Sequence, residues 1–472
     1  MSRRLNRREF VRQAAFIGVS ATAASPLLAA CGPVASPTPN PTLSAVQTQA
    51  AEAAKVPTEA PSGDEAGKVL ACNGQPLGSQ TLKATIEVWS WAAEALSVVV
   101  PDFNKLYPNV EVKISNLADT QEKAQIAIAA GTGAPDVFSM QGNDSQRYIK
   151  AGGLLDLTEV IGPCTKDFAA YKIEEATGDD GKIYAIPWDM GPVGLYYRKD
   201  LWEEKKFEVP KLWSEYIEQG IEFAKESHFM IEMPKSGSSY QFDLLLQQLG
   251  GSYFKRDGTV TVDDELGVKA MTMIKQMYDA GITADISQWS PGWFSGWREG
   301  MLITNWGAAW MGHVFPDNIK EGDPTFGQWR IAPLPAFEAG GAVSSNAGGS
   351  QLVIPTQTKN RDAAIAFAVF ATASVEGQVL GTLAGNISAY LPALRDPRVV
   401  NATNPIYGDE KYFALFADLA EKVPTDFLKA APYNESSTAV GAVIAQVLAG
   451  ELTVEEAMIQ IGVNVREIAA KY

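Results

Sequence analysis

Histidine and cysteine are nearly missing from this chain. It holds two His (228 and 313) and three Cys (31, 72 and 164) in 472 residues. That scarcity excludes a His- or Cys-rich zinc centre, so no metal site is expected. Also missing are a phosphate-cradling Gly-Lys loop, a His-Glu-x-x-His helix, a Gly-x-Ser-x-Gly turn and a calcium loop. No cofactor is expected, and no internal repeat is visible. Basic residues are in deficit, with 39 Lys and Arg against 55 Asp and Glu, a net charge of −16. Such a surface repels nucleic acid and anionic lipid head groups, and both are discarded as partners. Long hydrophobic runs are lacking too. The apolar stretch from Ala14 is short and poor in large side chains, which disfavours its alternative reading as a transmembrane anchor.

What is present at the N-terminus is a set of addresses. Asn6-Arg7-Arg8-Glu9-Phe10-Val11-Arg12 resembles the twin-arginine export box, with Asn6 where Ser or Thr is usual. Leu28-Ala29-Ala30-Cys31 resembles a lipoprotein box, which implies cleavage before Cys31 and lipid on its thiol. Residues 1–31 are therefore expected to be a signal and the mature chain to be extracytoplasmic, held to the membrane by that lipid. Losing the five Arg and one Glu of this segment takes the net charge from −16 to −20. The stretch after Cys31 is rich in Pro, Ala, Thr and Ser, so 32–80 is expected to be a flexible linker. Cys72 and Cys164 then form an even pair in an oxidising compartment, open to a disulfide or to two separate buried thiols.

Order is expected from about Thr81. Thr85–Trp89, Val110–Ile114 and Pro135–Met140 read as strands. Between them lie a helix from Glu94 to Tyr107, with Pro101 as a boundary or kink, and a helix capped by Asp119-Thr120 and stopped by Gly131. Strand–helix alternation argues an open α/β sheet, whose ligands sit at the carboxyl ends of the strands. Here those ends carry Ser90-Trp91, Asn116–Thr120 and Gln141–Asn143. Two extended runs, Gly181–Pro187 and Val193–Arg198, flank a Gly/Pro-rich break suited to a crossing between lobes. Residues 214–280 read as mostly helical, 361–373 as an amphipathic helix, and Thr453–Glu456 as a capping box.

Several segments together resemble the extracellular solute-binding proteins of bacterial ABC importers, in the large sugar-binding family that includes maltose-binding protein. They are Gly133–Phe138, Gly152–Leu157, and Gly181–Leu201 with its Tyr-Ala-Ile-Pro and Tyr-Tyr-Arg-Lys-Asp-Leu. Gly300-Met301, Gly348-Gly349, Lys359–Ala364 and Gly450–Ala457 complete the set. The resemblance implies an α/β, two-lobed, type II periplasmic-binding-protein-like fold with hinge strands. Lobe 1 would take 81–190 with 332–372, and lobe 2 would take 191–331 with 373–472. It also implies a monomer that closes on ligand and is recognised by the transmembrane subunits of an ABC permease.

Eleven Trp are present, five of them between 289 and 310. Trp293 and Trp297 read as a core stripe. Met301–Thr304 reads as a strand, with Asn305-Trp306-Gly307 as the loop at its end, where the resemblance also places a sugar-stacking aromatic. Trp306 and Trp310 are the leading candidates, because an indole face suits the axial C–H groups of a sugar ring. Trp91 reads equally as a lid or a core anchor, with Glu94 beside it. Asp119 could cap its helix or accept hydroxyls. Asp136, at the wrong end of its strand, reads as structural. Asn143 and Asp144 follow the third strand, and Trp188 and Asp189 lie at the crossing. Tyr240 falls where the resemblance puts an aromatic of the second lobe. Gly348 and Gly349 would admit ligand close to the backbone, and Tyr390 flanks Pro392 in a loop. With few cations at the strand ends, a neutral carbohydrate is expected, released unchanged. The alternatives are an exported glycoside hydrolase using carboxylates such as Glu94 and Asp189, and a ligand-free surface scaffold.

Overall fold

The computed structural model describes Leu77 and residues 81–472, except 256, 425, 426, 428 and 429. The signal, Cys31, Cys72 and the rest of the expected 32–80 linker lie outside the described residues, but Leu77 packs against the core and its carbonyl accepts the Tyr107 hydroxyl at 2.7 Å, so the linker expectation does not hold at that residue. Cys164 is buried and disulfide-bonded.

Ten strands follow in chain order. They are β1 (Ala84–Ser90), β2 (Val110–Asn116), β3 (Val137–Gln141), β4 (Ile186–Pro187), β5 (Val193–Arg198), β6 (Ile231–Glu232), β7 (Thr283–Ala284), β8 (Thr304–Ala308), β9 (Trp329–Pro333) and β10 (Ser350–Val353). The first sheet runs β2-β1-β3-β10-β4. Its first three strands are mutually parallel, and β10 returns antiparallel between β3 and β4. In β1, Ile86, Val88 and Ser90 are buried while Thr85 and Glu87 face out. In β10 all four residues are buried, as expected of a strand covered on both faces. The second sheet, β8-β5-β9, is antiparallel, and a short parallel pair, β6–β7, stands beside it. The architecture is the expected one of two α/β lobes. The chain leaves the first sheet after β4 and returns to it in β10.

Local chemistry explains most elements. Gly131, with φ of +76°, closes helix Thr120–Ala130 in a left-handed conformation. Thr453 and Glu456 form the expected capping box of helix Val454–Ala469. Asp136 is structural, as expected: it accepts the Glu87 N–H at 2.9 Å and bonds Thr358 and Asn360, tying β1 to the start of helix Arg361–Ala373.

Pro101 is the boundary expected over 94–107: two helices form, Ala93–Ser97 and Val100–Leu106, with Pro101 in the first turn of the second. Three expectations need correction. Asp119 occupies the N-cap position without capping, since its carboxylate pairs with Lys123 at 2.8 Å. Helix Arg361–Ala373 is buried all round, from Ala363 through Thr372, so its face toward solvent is negligible. Asn305-Trp306-Gly307 is not a loop, because the strand is β8 and begins at Thr304. No single helix among the described residues is long and apolar enough to cross a membrane.

Candidate functional site

A cavity of about 630 Å³ lies at the carboxyl ends of β1 and β3, within the usual range for small-molecule sites. Trp91 and Glu94 reach it just after β1, and Gln141 at the end of β3. Asp189 follows β4, and Ser350 begins β10, whose reversed direction brings its first residue to the same end. Residues from outside this sheet complete the wall, including Tyr240 and Asp243 from helix Tyr240–Gln248, and Trp310 and His313 from the turn and helix after β8.

The floor is built from a double glycine. Gly348 and Gly349 have φ of +89° and +115°, a region closed to most side chains. The Gly349 carbonyl accepts Gly142 N–H at 2.9 Å. A Cβ on Gly349 would lie 2.8 Å from the Asp189 carbonyl oxygen. Asp189 Oδ1 accepts the Ser350 N–H at 2.6 Å and also the Ser350 hydroxyl. Burial pushes the Asp189 carboxyl up, against those bonds and the buried Lys172 ammonium.

The far wall is aromatic. Trp310 lies half-buried just past β8, its Nε1 donating to the Ala347 carbonyl at 2.9 Å. Trp289 stacks beside it, with ring centres 5.9 Å apart and planes at 16°. Trp289 is 55% exposed and has φ of +63°, unusual for a bulky residue.

Polar groups surround these rings. Asn346 Oδ1 is taken by Tyr171 Oη at 3.1 Å and Gly191 N–H at 3.2 Å, which fixes the amide. Asp243 accepts the hydroxyls of Tyr253 at 2.6 Å, Tyr433 at 3.0 Å and Ser239 at 3.0 Å. Burial holds His313 neutral, pushing it down to about 4. Burial raises Asp317, and the Glu94 charge nearby adds to this while Lys320 opposes it. No Lys or Arg lines the cavity among the described residues, whereas Glu94, Asp189, Asp243 and Asp317 do.

The structure brings Trp91, Glu94, Asp189, Tyr240, Trp310, Gly348 and Gly349 together around this cavity. Other candidates sit elsewhere. Trp306 is fully buried, with its ring centre 4.5 Å from that of Trp213 and its Nε1 donating to Tyr216 Oη at 3.1 Å. The strand's two-residue alternation puts Thr304, Trp306 and Ala308 on one face, so a residue placed in a loop by sequence turns into the core. Asn305 is buried on the opposite face, beside Gly307 and the Tyr196 ring. Trp188 is also buried in the core. Tyr390 packs on Phe168, ring centres 5.2 Å apart. Asp119 is exposed and paired with Lys123, which holds its carboxyl below the usual range. Asp144 accepts Gln121 Nε2 at 2.7 Å and Asn434 Nδ2 at 2.6 Å, and burial raises its carboxyl. The Asn143 side chain lies outside what is described.

Sequence reasoning missed Asp243, Gln288, His313, Asn346 and Tyr433, which reach the cavity only through tertiary packing. Trp289 had a usable signal. Pro291 opens helix Pro291–Glu299 and Ser290 caps it, which leaves Trp289 outside the helix, while Trp293 and Trp297 are buried as the core-stripe reading expects.

Comparison with known proteins agrees with this architecture. A family model for bacterial extracellular solute-binding proteins matches residues 89–378. The chain is 23% identical over 349 residues to an arabinooligosaccharide-binding protein of Halalkalibacterium halodurans, covering 70% of this chain and 74% of that one. It is 24% identical over 357 residues to a lactose-binding protein of Rhizobium radiobacter, covering 72% and 82% respectively. Among solved structures, the sugar-binding protein MalE from Xanthomonas citri superposes with a TM-score of 0.71 at 22% identity, over 82% of this chain and 98% of that one. The two-lobed fold is shared, and the match covers more than half of the sequence. This chain belongs to the bacterial extracellular solute-binding protein family.

Proposed function

We propose that the chain is the substrate-binding lipoprotein of an ABC importer, capturing a neutral carbohydrate and passing it unchanged to the permease subunits. The observation that carries this reading is the Trp289–Trp310 pair in a cavity with fixed amides and carboxylates and no lining cation. Indole faces suit sugar C–H surfaces. Amides and carboxylates suit hydroxyls, and leaving one buried and unpaired costs about 1–3 kcal/mol, which rejects the wrong sugar. A phosphate or carboxylate ligand would meet four acidic side chains and no lining Lys or Arg, since Lys172 behind the floor is paired with Glu175 at 2.5 Å. The sugars named for the relatives, arabino-oligosaccharide and lactose, add support.

Residues 81–190 with 332–372 are proposed as one lobe and 191–331 with 373–472 as the other. The protein would act as a monomer outside the cytoplasmic membrane. A twin-arginine signal over 1–31 would export it, lipid on Cys31 would anchor it, and the stretch between Cys31 and Leu77 would serve as its linker. Replacing Cys31 by Ser should release the protein from the membrane fraction.

The test is a panel containing lactose, arabino-oligosaccharides and maltose, read by tryptophan fluorescence and by chromatography of the recovered sugar. Expected are a fluorescence shift and intact sugar. Release of reducing ends would favour the hydrolase, although Asp189 Oδ1 is already committed to Ser350. Saturating ligand at 100 times its Kd should stabilise the fold by about 2.7 kcal/mol. A broad glycan panel with no thermal shift would leave only a scaffold.

A further inference from the structure

Glu232 ends β6 behind the cavity wall and is wholly buried. Its Oε1 accepts Gln241 Nε2 at 3.0 Å and Gln288 Nε2 at 2.6 Å. Gln241 Nε2 also donates to the Glu232 carbonyl oxygen at 3.0 Å, so this amide is anchored from its own helix. The Trp293 indole N–H is a further donor toward this carboxylate. The groups facing Glu232 are the Tyr216 and Tyr240 hydroxyls from their two helices and the Trp293 indole from a third. None of them supplies an opposite charge. Gln288, in contrast, belongs to the cavity, and the next residue is Trp289. A bulky residue at positive φ persists only where its surroundings over-determine it. Ser290 secures the C-terminal side by accepting Trp293 N–H at 3.2 Å, and the Gln288–Glu232 bond secures the other.

We propose that Glu232 is a positioning residue of the cavity: its carboxylate holds Gln288 and so sets Trp289, and gain of a proton there loosens the wall and weakens capture of ligand. The part concerning capture rests on the carbohydrate-binding reading above. Burial pushes the Glu232 carboxyl up to about 7. The ionised form therefore prevails above that pH, and it accepts the stronger, charge-assisted bond from Gln288. Affinity should be highest on the alkaline side and fall as pH drops through about 7.

Two measurements separate this proposal from the reading it rests on. In the first, the ligand-free protein carries 5-fluorotryptophan, and the Trp289 fluorine resonance is assigned by its loss in Trp289→Phe. That resonance should shift with a midpoint near pH 7, and the shift should vanish in Glu232→Gln. Because Glu232→Gln could unfold a buried site, Gln288→Leu serves as a second variant, removing the same bond from the cavity side, and it too should flatten the titration. In the second measurement, lactose and arabino-oligosaccharides are titrated at pH 8 and pH 5.5. The tighter binder should weaken by roughly three- to tenfold at the lower pH, and by less in either variant. A fluorine resonance that ignores pH in the wild type, or that titrates in both variants as it does in the wild type, overturns the proposal. So does sugar affinity that is equal at the two pH values. A titrating resonance with no carbohydrate bound on a broad panel supports the positioning role and sinks the carbohydrate reading instead.

Discussion

Two tryptophans four residues apart should fail in opposite ways. Trp306 is fully buried and fills the space between Trp213 and Tyr216, with an indole N–H bonded to Tyr216 Oη. Trp306→Ala should therefore leave a large cavity and cost about 3–5 kcal/mol of stability. Unfolding about 390 ordered residues in one cooperative transition carries an entropy of roughly 0.8 kcal/mol/K, so Tm should fall by about 4–6 °C. Trp310 is half-buried and lines the cavity, bonded only through Nε1 to Ala347. Trp310→Ala should cost about 1–2 kcal/mol of stability. Its loss in sugar affinity should be larger, about 1–3 kcal/mol, or roughly five- to 150-fold in Kd. Differential scanning fluorimetry and fluorescence titration on the same preparations read both effects. An unchanged Tm for Trp306→Ala would refute its packing in the core. Full affinity in Trp310→Ala would remove that indole from the site.

Gly349→Ala places a Cβ 2.8 Å from the Asp189 carbonyl at a φ of +115°; it should destabilise the fold by about 1–3 kcal/mol and distort the cavity floor, which calorimetric titration with sugar would register as weaker binding. The 2.6 Å bond between Asp144 and Asn434 joins the two proposed lobes. Asn434→Leu should weaken sugar binding by up to about tenfold without touching ligand, through loss of about 1–1.5 kcal/mol from the closed form, and should increase the radius of gyration in X-ray scattering; unchanged scattering and affinity would argue against a latch. Glu232 also links stability to pH. Its folded value of about 7 lies above the ordinary 4.5, so the folded state holds a proton that the unfolded state has lost, and this contribution to stability falls as pH rises from about 4.5 to about 7. Glu232→Gln lacks that loss, so its Tm relative to wild type should rise between pH 5 and pH 8; a constant difference would show that Glu232 ionises normally.

Strands with strict alternation were legible. Ile86 and Val88 announced the buried face of β1, and Gly131 and Thr453 marked helix ends by local chemistry that needs no distant partner. The error at Trp306 came from a strand boundary. Met301–Thr304 is apolar enough to resemble a strand, but the ladder with β5 pairs Thr304 through Ala308. A shift of that size turns a loop aromatic into a core one, because side-chain direction alternates at every residue. Trp188 shows the same weakness at the crossing, where no period exists to assign a face.

The linear chain by itself settled composition, charge, the run of elements and the family likeness, because propensity, alternation and capping act over a few residues. Only tertiary packing decided that Trp310 faces the cavity and Trp306 does not, since the β5–β8 ladder buries Trp306 and ends at Ala308, short of Trp310. It also decided that Glu232 stands behind Gln288, a contact between residues 56 positions apart that no local rule connects.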